Sequence, residues 1–325
     1  MISAPARSAS VHGTLKAVGP FDLRTSIRFL SGFGACKGDQ VLTPDTLTKA
    51  IGVDGQCVVF RLSTTNTPEV IAYSMWSRSS ISTSVEEAVG YRISEYLSLT
   101  DDLSTFYAAA DQDHEGFRDI VSALRGLHQV RFLTLAEISC WVVLTQRTPR
   151  TVSLALKRRL VEGYGGSLEI DGVAYRAFPE LGRLCEVTSD EWKAIVRSDC
   201  KADYLEHVVH GVQEIGEEYL RTVSYADATK ALRSIRGIGE FGAAAILLRG
   251  LGRMDYVPME MPSFKDAAVA VYGPGVDTSA IVHRYGTDLG YWAYYLHTGL
   301  GALREDIAHL RPAANLSAEQ PPKEL

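Results

Sequence analysis

The amino-acid sequence predicts an α+β fold in which a small antiparallel β-sheet domain precedes a mainly α-helical domain. Two short runs rich in β-branched and aromatic residues, 55–65 and 70–76, have the length of strands and flank the turn-forming segment TNTPE. From about residue 92 onwards, apolar residues instead recur at helical spacing. We therefore place the N-terminal sheet domain at 14–91, the helical domain at 92–310 and a polar tail, expected to be disordered, at 311–325.

The sheet domain is expected to combine its strands with one or two short helices. We expect the first dozen residues to be loose, because they carry no periodic apolar pattern. The segment TPDTLTKAIG is predicted to be a helix that begins near Thr43 or Asp45 and stops at Gly52. The two strand-length runs follow it and are expected to pair as an antiparallel sheet.

The second domain is expected to be a series of helices. The apolar segment 132–166 should form two helices broken near Pro149, and the second should end at the glycines that follow Arg159. Amphipathic patterns predict further helices in the segments 101–113, 189–198, 201–220, 224–239 and 288–310.

Composition and charge limit the possible functions. The 325 residues carry a formal charge of −6 and a pI of about 5.8, so there is no overall basic bias toward nucleic acid. No run of 18 apolar residues exists, and no membrane span is expected. The five cysteines show no C-x-x-C spacing, which favours reduced, buried thiols in a cytoplasmic protein. We expect a monomer without a metal or another cofactor.

A short glycine turn lies between two predicted helices. Gly237 and Gly239 allow unusual backbone angles, and Ile238 between them can anchor the turn in the core. The helix that follows begins with unblocked amide groups, which can bind a phosphate, and Gly242 in its first turn allows close approach. The alternative is a plain αα-hairpin whose glycines serve packing alone.

The local charge favours the phosphate interpretation. Residues 230–253 contain five cationic side chains against the single acid Glu240, a local charge of +4 in an acidic protein. Contacts with phosphates position a protein on a duplex without reading its sequence, so a local basic edge is sufficient. Arg236, directly before the turn, is predicted to contact DNA. The cations are Lys230, Arg233, Arg236, Arg249 and Arg253.

The pattern L-x-x-I-x-G-I-G-x-x-x-A-x-x-I-L-L-R-G-L-G-R-x-D, residues 232–255, resembles the helix-hairpin-helix DNA glycosylases, and among them the 3-methyladenine DNA glycosylase II branch. Other segments resemble the same branch in the expected order, so that the resemblance covers residues 20–305. It implies a helix-hairpin-helix glycosylase domain that binds double-stranded DNA with a damaged base. The supporting segments are 21–33, 92–113, 124–149, 161–166, 177–184 and 285–297.

The implied reaction removes a damaged base by breaking its bond to the sugar. The base must leave the stack, and a carboxylate then stabilises the positive charge that develops on the sugar. The family places an aspartate after the second hairpin helix, marked by a preceding D-x-x-P. Here the segment reads DYVPMEMPSFK: counting six residues from Asp255 reaches Met261, and counting two from Pro258 reaches Glu260. The family aspartate is therefore not matched, and Glu260 is the nearby carboxylate.

Three interpretations of this departure stay open. Glu260 can serve as the catalytic carboxylate with one extra methylene, the protein can be a catalytically silent DNA-binding scaffold, or the acid can lie elsewhere, as at Asp288. A helical scaffold that never meets DNA is a further possibility. We adopt a monofunctional DNA N-glycosylase that excises an alkylated or otherwise damaged base, with a silent helix-hairpin-helix DNA-binding protein as the alternative.

Two further family features are missing from this sequence. Bifunctional relatives carry a lysine two residues after the second glycine, where it forms a Schiff base with the sugar, and this chain has Phe241 there. Some relatives carry a C-terminal four-cysteine iron–sulfur loop, but no cysteine follows Cys200. The resemblance therefore implies an enzyme that leaves an abasic site and needs no cofactor.

Candidate substrate-binding residues also follow from the resemblance. Gln146 stands at the place of the characteristic glutamine of the family. Trp141 and Tyr291 are candidates for stacking on an electron-poor base, although their helical spacing is also typical of core residues. Asp288 replaces a family aromatic residue and is expected to pair with a cationic base.

Overall fold

The computed structural model describes residues 9–310, with side chains described up to residue 301. Its first part is a five-stranded antiparallel sheet with the strand order β1-β5-β4-β3-β2. One helix interrupts the strands, beginning after Asp22, whose side chain accepts a hydrogen bond from the Arg24 amide. The predicted tail 311–325 lies outside the described residues. The elements are β1 Ala9–Lys16, α1 Leu23–Gly32, β2 Gln40–Leu42, β3 Thr46–Val53, β4 Gln56–Thr64 and β5 Val70–Ser77.

The segment predicted as a helix at 43–52 is mostly strand, so that prediction was wrong. β3 pairs with β4 from Thr46↔Ser63 to Val53↔Gln56, and with β2 on its other side. The hairpin turn has positive φ at both Asp54 and Gly55, which matches the twist of paired strands. This Asp-Gly signal and the burial of Leu47 and Ile51 on one face outweigh the N-cap-like Thr43 and Asp45.

The N-terminal strand begins earlier than the sequence suggested. β1 pairs along its whole length with β5, from Ala9↔Ser77 to Lys16↔Val70. The expectation that the first dozen residues are loose is therefore wrong for 9–12, and the sheet domain extends at least to Ala9. The available signal was the alternation of Ala9, Val11 and Leu15 with polar residues, which places one face of the strand on the core.

Helices make up most of the second part, and the break predicted near Pro149 is confirmed. The first of these helices, at 83–96, runs through the predicted domain boundary at 91. A small hairpin, β6–β7, interrupts the series. The elements are α2 Thr83–Tyr96, α3 Ser104–Asp111, α4 Glu115–Ala123, α5 Leu135–Leu144, α6 Arg150–Tyr164, β6 Ser167–Ile170, β7 Val173–Arg176, α7 Leu181–Cys185, α8 Ser189–Val196, α9 Asp199–Ile215, α10 Glu217–Thr222, α11 Tyr225–Arg233, α12 Glu240–Ala245 with a π-helical continuation Ile246–Gly250, α13 Pro262–Tyr272, α14 Thr278–Tyr285 and α15 Leu289–Leu310.

A single large core joins the sheet to the helices. One sheet face contributes Leu47, Ile51, Phe60 and Leu62, which are buried against the helical part. On the opposite face, Ala50 and Val59 pack against the β6–β7 hairpin through Leu168, Ile170 and Tyr175. Both faces are thus covered where β3 and β4 pair, which removes apolar surface from water on each side of the sheet.

Helix α5 is the centre of the helical part. Nine of its ten residues are buried, with Trp141 the half-buried exception. It packs against α6, α9 and the α12 helix with its π-helical continuation. Its ten residues rise about 15 Å at about 1.5 Å each, so its two ends contact different parts of the protein. The N-terminal end lies beside the sheet domain, and the C-terminal end lies beside the glycine turn.

A buried ion cluster joins the sheet domain to α5 and α6. The Lys157 ammonium lies 2.5 Å from Asp39 Oδ2 and 2.6 Å from Glu137 Oε1, and it donates to the Ala35 carbonyl at 3.0 Å. Burial alone lowers the pKa of an ammonium, but the charges of Glu137 and Asp39 outweigh it and raise the pKa of Lys157 above its usual value. Lys157 is therefore charged at neutral pH and holds both carboxylates.

The membrane and cysteine expectations can be compared with the described part of the chain. No helix between residues 9 and 310 is long and apolar enough to cross a membrane. The five cysteines are free thiols. Cys36 and Cys140 are buried, as predicted, and burial raises the pKa of the Cys36 thiol to about 11. Cys200 is exposed, so the expectation of burial was wrong there.

Replacing Lys157 by alanine tests the role of the ion cluster. The substitution leaves Glu137, which is 2% exposed, without its ammonium. We expect the free energy of unfolding to fall by about 3–5 kcal/mol, measured by urea denaturation at neutral pH. Lys193→Ala is the matched control, because that ammonium is 51% exposed and 3.9 Å from Asp199, and should cost less than about 1 kcal/mol. Equal losses in the two variants would contradict the account.

Candidate nucleic-acid interface and active site

The turn between α11 and α12 requires glycine at its first glycine position. Gly237 has a φ of +100°, a region that side-chain-bearing residues rarely adopt. A Cβ added there would lie 2.8 Å from the Cβ of Tyr204 on α9. Backbone conformation and packing against α9 therefore both exclude a side chain at Gly237.

The second glycine has a different environment. Gly239 is the N-cap of α12 with ordinary extended angles, φ −91° and ψ −176°, and a Cβ there would meet nothing within 4 Å. No side chain caps this helix end. Ile238, 5% exposed, is anchored in the core, and its amide donates to the Ile235 carbonyl at 3.1 Å. The start of α12 thus presents backbone amides to an open surface, next to a fixed anchor.

Two polar side chains fix the turn against the C-terminal end of α5. Gln146 Nε2 donates to the Gly237 carbonyl at 2.7 Å. Lys201 Nζ donates to the carbonyls of Val143 at 2.9 Å and Gln146 at 2.8 Å, which adds a charged donor at the C-terminal end of α5. Partial burial lowers the pKa of Lys201. In this structure the Gln146 amide therefore supports the turn.

Fewer cationic side chains are exposed around the turn than the five that the sequence contains in residues 230–253. Arg249 is 5% exposed, with its guanidinium 4.7 Å from the ring centre of Phe33. Arg253 forms an ion pair at 2.9 Å with Asp255, which lies just beyond residues 230–253. These two arginines therefore add little to the surface charge, and the local +4 overstates it. The exposed cations of this segment are Lys230, Arg233 and Arg236.

Arg236 lies at the edge of the turn. Its side chain is 65% exposed and forms an ion pair with Asp203 Oδ2 at 2.8 Å. An exposed ion pair of this kind is weak, so the guanidinium can exchange its partner for a stronger anion. The structure thus leaves Arg236 accessible beside the amides of α12.

The loop that carries Glu260 is anchored at both ends. Near its start, the Gly290 amide of α15 donates to the Met254 carbonyl at 2.9 Å. Pro258 is buried, and the Met261 amide donates to its carbonyl at 3.0 Å. Glu260 itself is exposed, directly before the start of α13, where the partial positive charge of the helix favours a carboxylate.

Tyr256 joins the Glu260 loop to α11, the helix that precedes the glycine turn. Tyr256 is 43% exposed, and its ring packs against that of Tyr225 at an angle of 43°, with 4.7 Å between ring centres. Partial burial raises the pKa of Tyr256, and the negative charges of Glu260 and Glu240 raise it further. The ring contact holds the start of the Glu260 loop against the first residue of α11.

One protein of known name is similar to this chain in sequence over about half of its length. No family model matches the chain. A Bacillus subtilis (strain 168) protein named DNA-3-methyladenine glycosylase is 32% identical over 168 residues, which is 51% of this chain. The matched region spans 55% of that relative, little more than half of its length.

Two solved structures share the fold over most of their length. The 3-methyladenine DNA-glycosylase from Archaeoglobus fulgidus superposes with a TM-score of 0.71 at 19% identity, covering 87% of this chain and 97% of that protein. The 8-oxoguanine glycosylase/lyase of Clostridium acetobutylicum, in complex with double-stranded DNA containing cytosine opposite 8-oxoG, has a TM-score of 0.58 at 18% identity, covering 83% and 99%.

The chain has the helix-hairpin-helix DNA glycosylase fold. The predicted fold class, a small antiparallel sheet followed by a mainly helical glycosylase-type domain, is thereby confirmed. Within this fold, Phe241 occupies the second position of α12 and is 36% exposed, so no lysine stands at the place where bifunctional relatives carry one.

The three remaining predicted residues lie in different surroundings. Trp141 is half-buried on α5, with the Lys157 ammonium 5.6 Å from its ring centre, on the side of the ion cluster. Tyr291 is 4% exposed and donates to Asp101 Oδ2 at 2.5 Å, so in this structure its ring is part of the core. Asp288 is half-buried and accepts a hydrogen bond from Thr105 at 2.7 Å.

Sequence reasoning did not single out Tyr256. The available signal was its position directly after Asp255 in the D-x-x-P segment, where it is the aromatic residue nearest to Glu260 along the chain. Its role depends on a contact with Tyr225, about thirty residues away in sequence, which the local pattern does not show.

The two turn glycines are expected to respond differently to alanine. Gly237→Ala should lower the free energy of unfolding by about 1–3 kcal/mol, because it places a Cβ at positive φ against Tyr204. Gly239→Ala should change it by less than about 1 kcal/mol, because its angles are ordinary and its surroundings open. Urea unfolding of both variants checks this order, and a larger loss at Gly239 would show that the turn is described wrongly.

Proposed function

We propose that this protein is a monofunctional DNA N-glycosylase that removes an alkylated or otherwise damaged base from double-stranded DNA. The observation that carries the proposal is the open amide surface at Gly239, on a fold shared with DNA glycosylases. The Bacillus subtilis relative bears the name of that activity, and the Clostridium structure contains duplex DNA. We further propose that the protein acts as a monomer in the cytoplasm, associated with the nucleoid.

The turn would bind the DNA backbone through its amides. The N–H groups at the start of α12 and the partial positive charge of that helix end suit a phosphate oxygen. Gly239 allows the strand to approach, Ile238 holds the turn in place, and Arg236 adds a charged contact. Gly242, which was predicted to allow close approach as well, is buried against Ile238 and Val142 and would serve the packing of α12. These contacts are independent of base sequence, as a scanning repair protein requires.

Glu260 would supply the chemistry. Water adds to the anomeric carbon of the sugar as the bond to the base nitrogen breaks, and the departing base takes the bonding electrons. The sugar is positively charged in between, and a nearby carboxylate stabilises this charge and accepts a proton from the water. The extra methylene of glutamate relative to aspartate gives Glu260 the reach to do this from an exposed loop.

Phe241 determines the type of product. Strand cleavage by bifunctional enzymes requires an amine that forms a Schiff base with the sugar, and a phenyl ring cannot do so. The proposed products are therefore the free base and an intact strand with an abasic site.

Recognition of the damaged base would depend on aromatic surfaces and on charge. Tyr256 is the exposed ring closest in sequence to Glu260, and it is supported from behind by Tyr225. An alkylated base with a positive charge stacks favourably on an aromatic face. We retain Gln146, Trp141, Tyr291 and Asp288 as proposed substrate-binding residues, of which Tyr291 would need its surroundings to open.

A catalytically silent DNA-binding protein is the second candidate. The exposure of Glu260 favours it, because most catalytic carboxylates gain reactivity from a more enclosed site. Both candidates predict DNA binding through the turn, and they differ in base release.

DNA affinity tests the turn separately from the chemistry. Gly239→Ala should weaken binding to duplex DNA about tenfold, because its methyl group blocks the approach of a phosphate to charge-assisted hydrogen-bond donors. Gly163→Ala on α6 is the matched control, since that glycine is equally open and should leave the affinity unchanged. Fluorescence anisotropy at several salt concentrations gives both values. Equal affinity of wild type and Gly239→Ala would remove the turn from the DNA interface.

Base release tests Glu260. Glu260→Gln should lower the rate of release of alkylated bases from methylated DNA at least about a hundredfold, with unchanged DNA affinity, because the amide cannot stabilise a cation or accept a proton. Mass spectrometry of the released bases measures the rate, and Glu87→Gln, an exposed glutamate on α2, is the control. Undiminished release by Glu260→Gln contradicts the catalytic role, and no release by the wild type identifies the silent protein.

A further inference from the structure

A second polar site lies at the opposite end of α5 from the glycine turn. A cavity of about 140 Å³ opens between the edge of β3 and helix α6. Its walls include the apolar side chains Leu133, Val161 and Phe178, and ionic groups from both domains. Nothing in the proposed reaction uses this cavity.

Lys49 is the unusual residue of the cavity. It lies on β3 between Leu47 and Ile51, which point to the same side of the sheet and belong to the core. Its side chain is 4% exposed. Lysine is among the residues least often buried, and its ammonium needs hydrogen-bond acceptors when it is.

The surrounding protein leaves the Lys49 ammonium without a hydrogen bond. Among the described residues its one ion pair is with Asp39 Oδ2, at 3.9 Å, which is too long for a hydrogen bond. That oxygen already accepts a hydrogen bond from Lys157 at 2.5 Å. The Glu137 carboxylate is likewise held by Lys157, at 2.6 Å. The three N–H donors of Lys49 are therefore available to a molecule inside the cavity.

The charges that line the cavity favour an anion with two negative charges. Five cationic side chains line it against three carboxylates, which leaves an excess of two positive charges. Within the buried part, Lys49 and Lys157 balance Asp39 and Glu137. The excess therefore lies at the exposed mouth, where three cations face the single carboxylate of Glu162. These cations are Lys37, Arg158 and Arg176. A phosphate group carries between one and two negative charges near neutral pH, and its oxygens accept several hydrogen bonds.

The edge of β3 adds to this site. β2 pairs with β3 only as far as Gln40↔Lys49, whereas Ala50 and Ile51 also line the cavity. Among the described strands, none pairs with β3 on that side beyond Lys49, so the cavity lies at an open edge of the sheet.

We propose that this cavity binds a phosphate group, with Lys49 as its buried ligand and Arg158 and Arg176 at its mouth. The site is built from β3 of the sheet domain and α6 of the helical domain. A phosphate bound there would join the two domains at a distance from the glycine turn.

Thermal unfolding of the full chain in inorganic phosphate tests the proposal. At constant ionic strength, phosphate should raise the Tm of the wild type in a saturable way, because it binds the folded state. Lys49→Met should weaken the apparent affinity at least about tenfold. Lys193→Met removes an exposed lysine and should leave the rise in Tm unchanged. Arg236→Met should also leave it unchanged, because the proposed phosphate site is not at the glycine turn.

A second variant keeps the test independent of the folding of Lys49→Met. Arg176 is exposed, so Arg176→Met is not expected to disturb the core, and it should also weaken the phosphate response. A nucleoside monophosphate in place of inorganic phosphate shows whether an esterified phosphate binds. A saturable rise in Tm with either compound supports the site if Lys49→Met abolishes that rise. No saturable response, a response equal in wild type and Lys49→Met, or a larger response to acetate than to phosphate would overturn the proposal.

Discussion

The hydrogen bond from the Gln146 amide to the Gly237 carbonyl fixes the feature on which the proposed activity depends. It joins the C-terminal end of the most buried helix to a turn that has no side chains of its own to hold it. Lys201 donates to the same helix end, and Tyr204 fills the space against Gly237. The amides at the start of α12 are thus held in position before DNA arrives, so little ordering cost remains to be met on binding.

Several buried or partly buried charged side chains in this protein connect elements that are distant in sequence. Lys157 holds carboxylates from the sheet domain and from α5, and Arg253 holds Asp255 while donating to the carbonyls of Leu220 and Val223. Such partly or fully buried charges are costly unless paired, and their pairing specifies how the elements meet. The few cations left at the surface near the turn can then act on a ligand.

The sequence predicted much of the fold because its signals were local. Helical periodicity, Pro149 and the Gly-Ile-Gly turn each depend on neighbouring residues, and each was found where expected. Strand β3 was missed because Thr43 and Asp45 resemble helix caps, and the decisive pairing with β2 and β4 is not local. β1 was missed although its alternation of apolar and polar residues is a local signal.

The candidate site was less predictable, because the direction of a side chain is set by tertiary packing. Arg249 and Arg253 were counted as surface charges, but one is surrounded by aromatic rings and the other is paired within its own loop. Tyr256 was overlooked because the ring that it contacts, Tyr225, comes from another element. The glycines were identified correctly as turn residues, although only Gly237 requires glycine for its conformation.

Backbone amide NMR of the full chain with duplex DNA tests most directly whether the turn presents its amides to the phosphate backbone. The account predicts that the amide signals of Glu240 and Phe241 shift with added duplex, that salt reverses the shift, and that Gly182 on α7 is unaffected. Shifts confined to other surfaces, with Glu240 and Phe241 unchanged at saturating DNA, would contradict it.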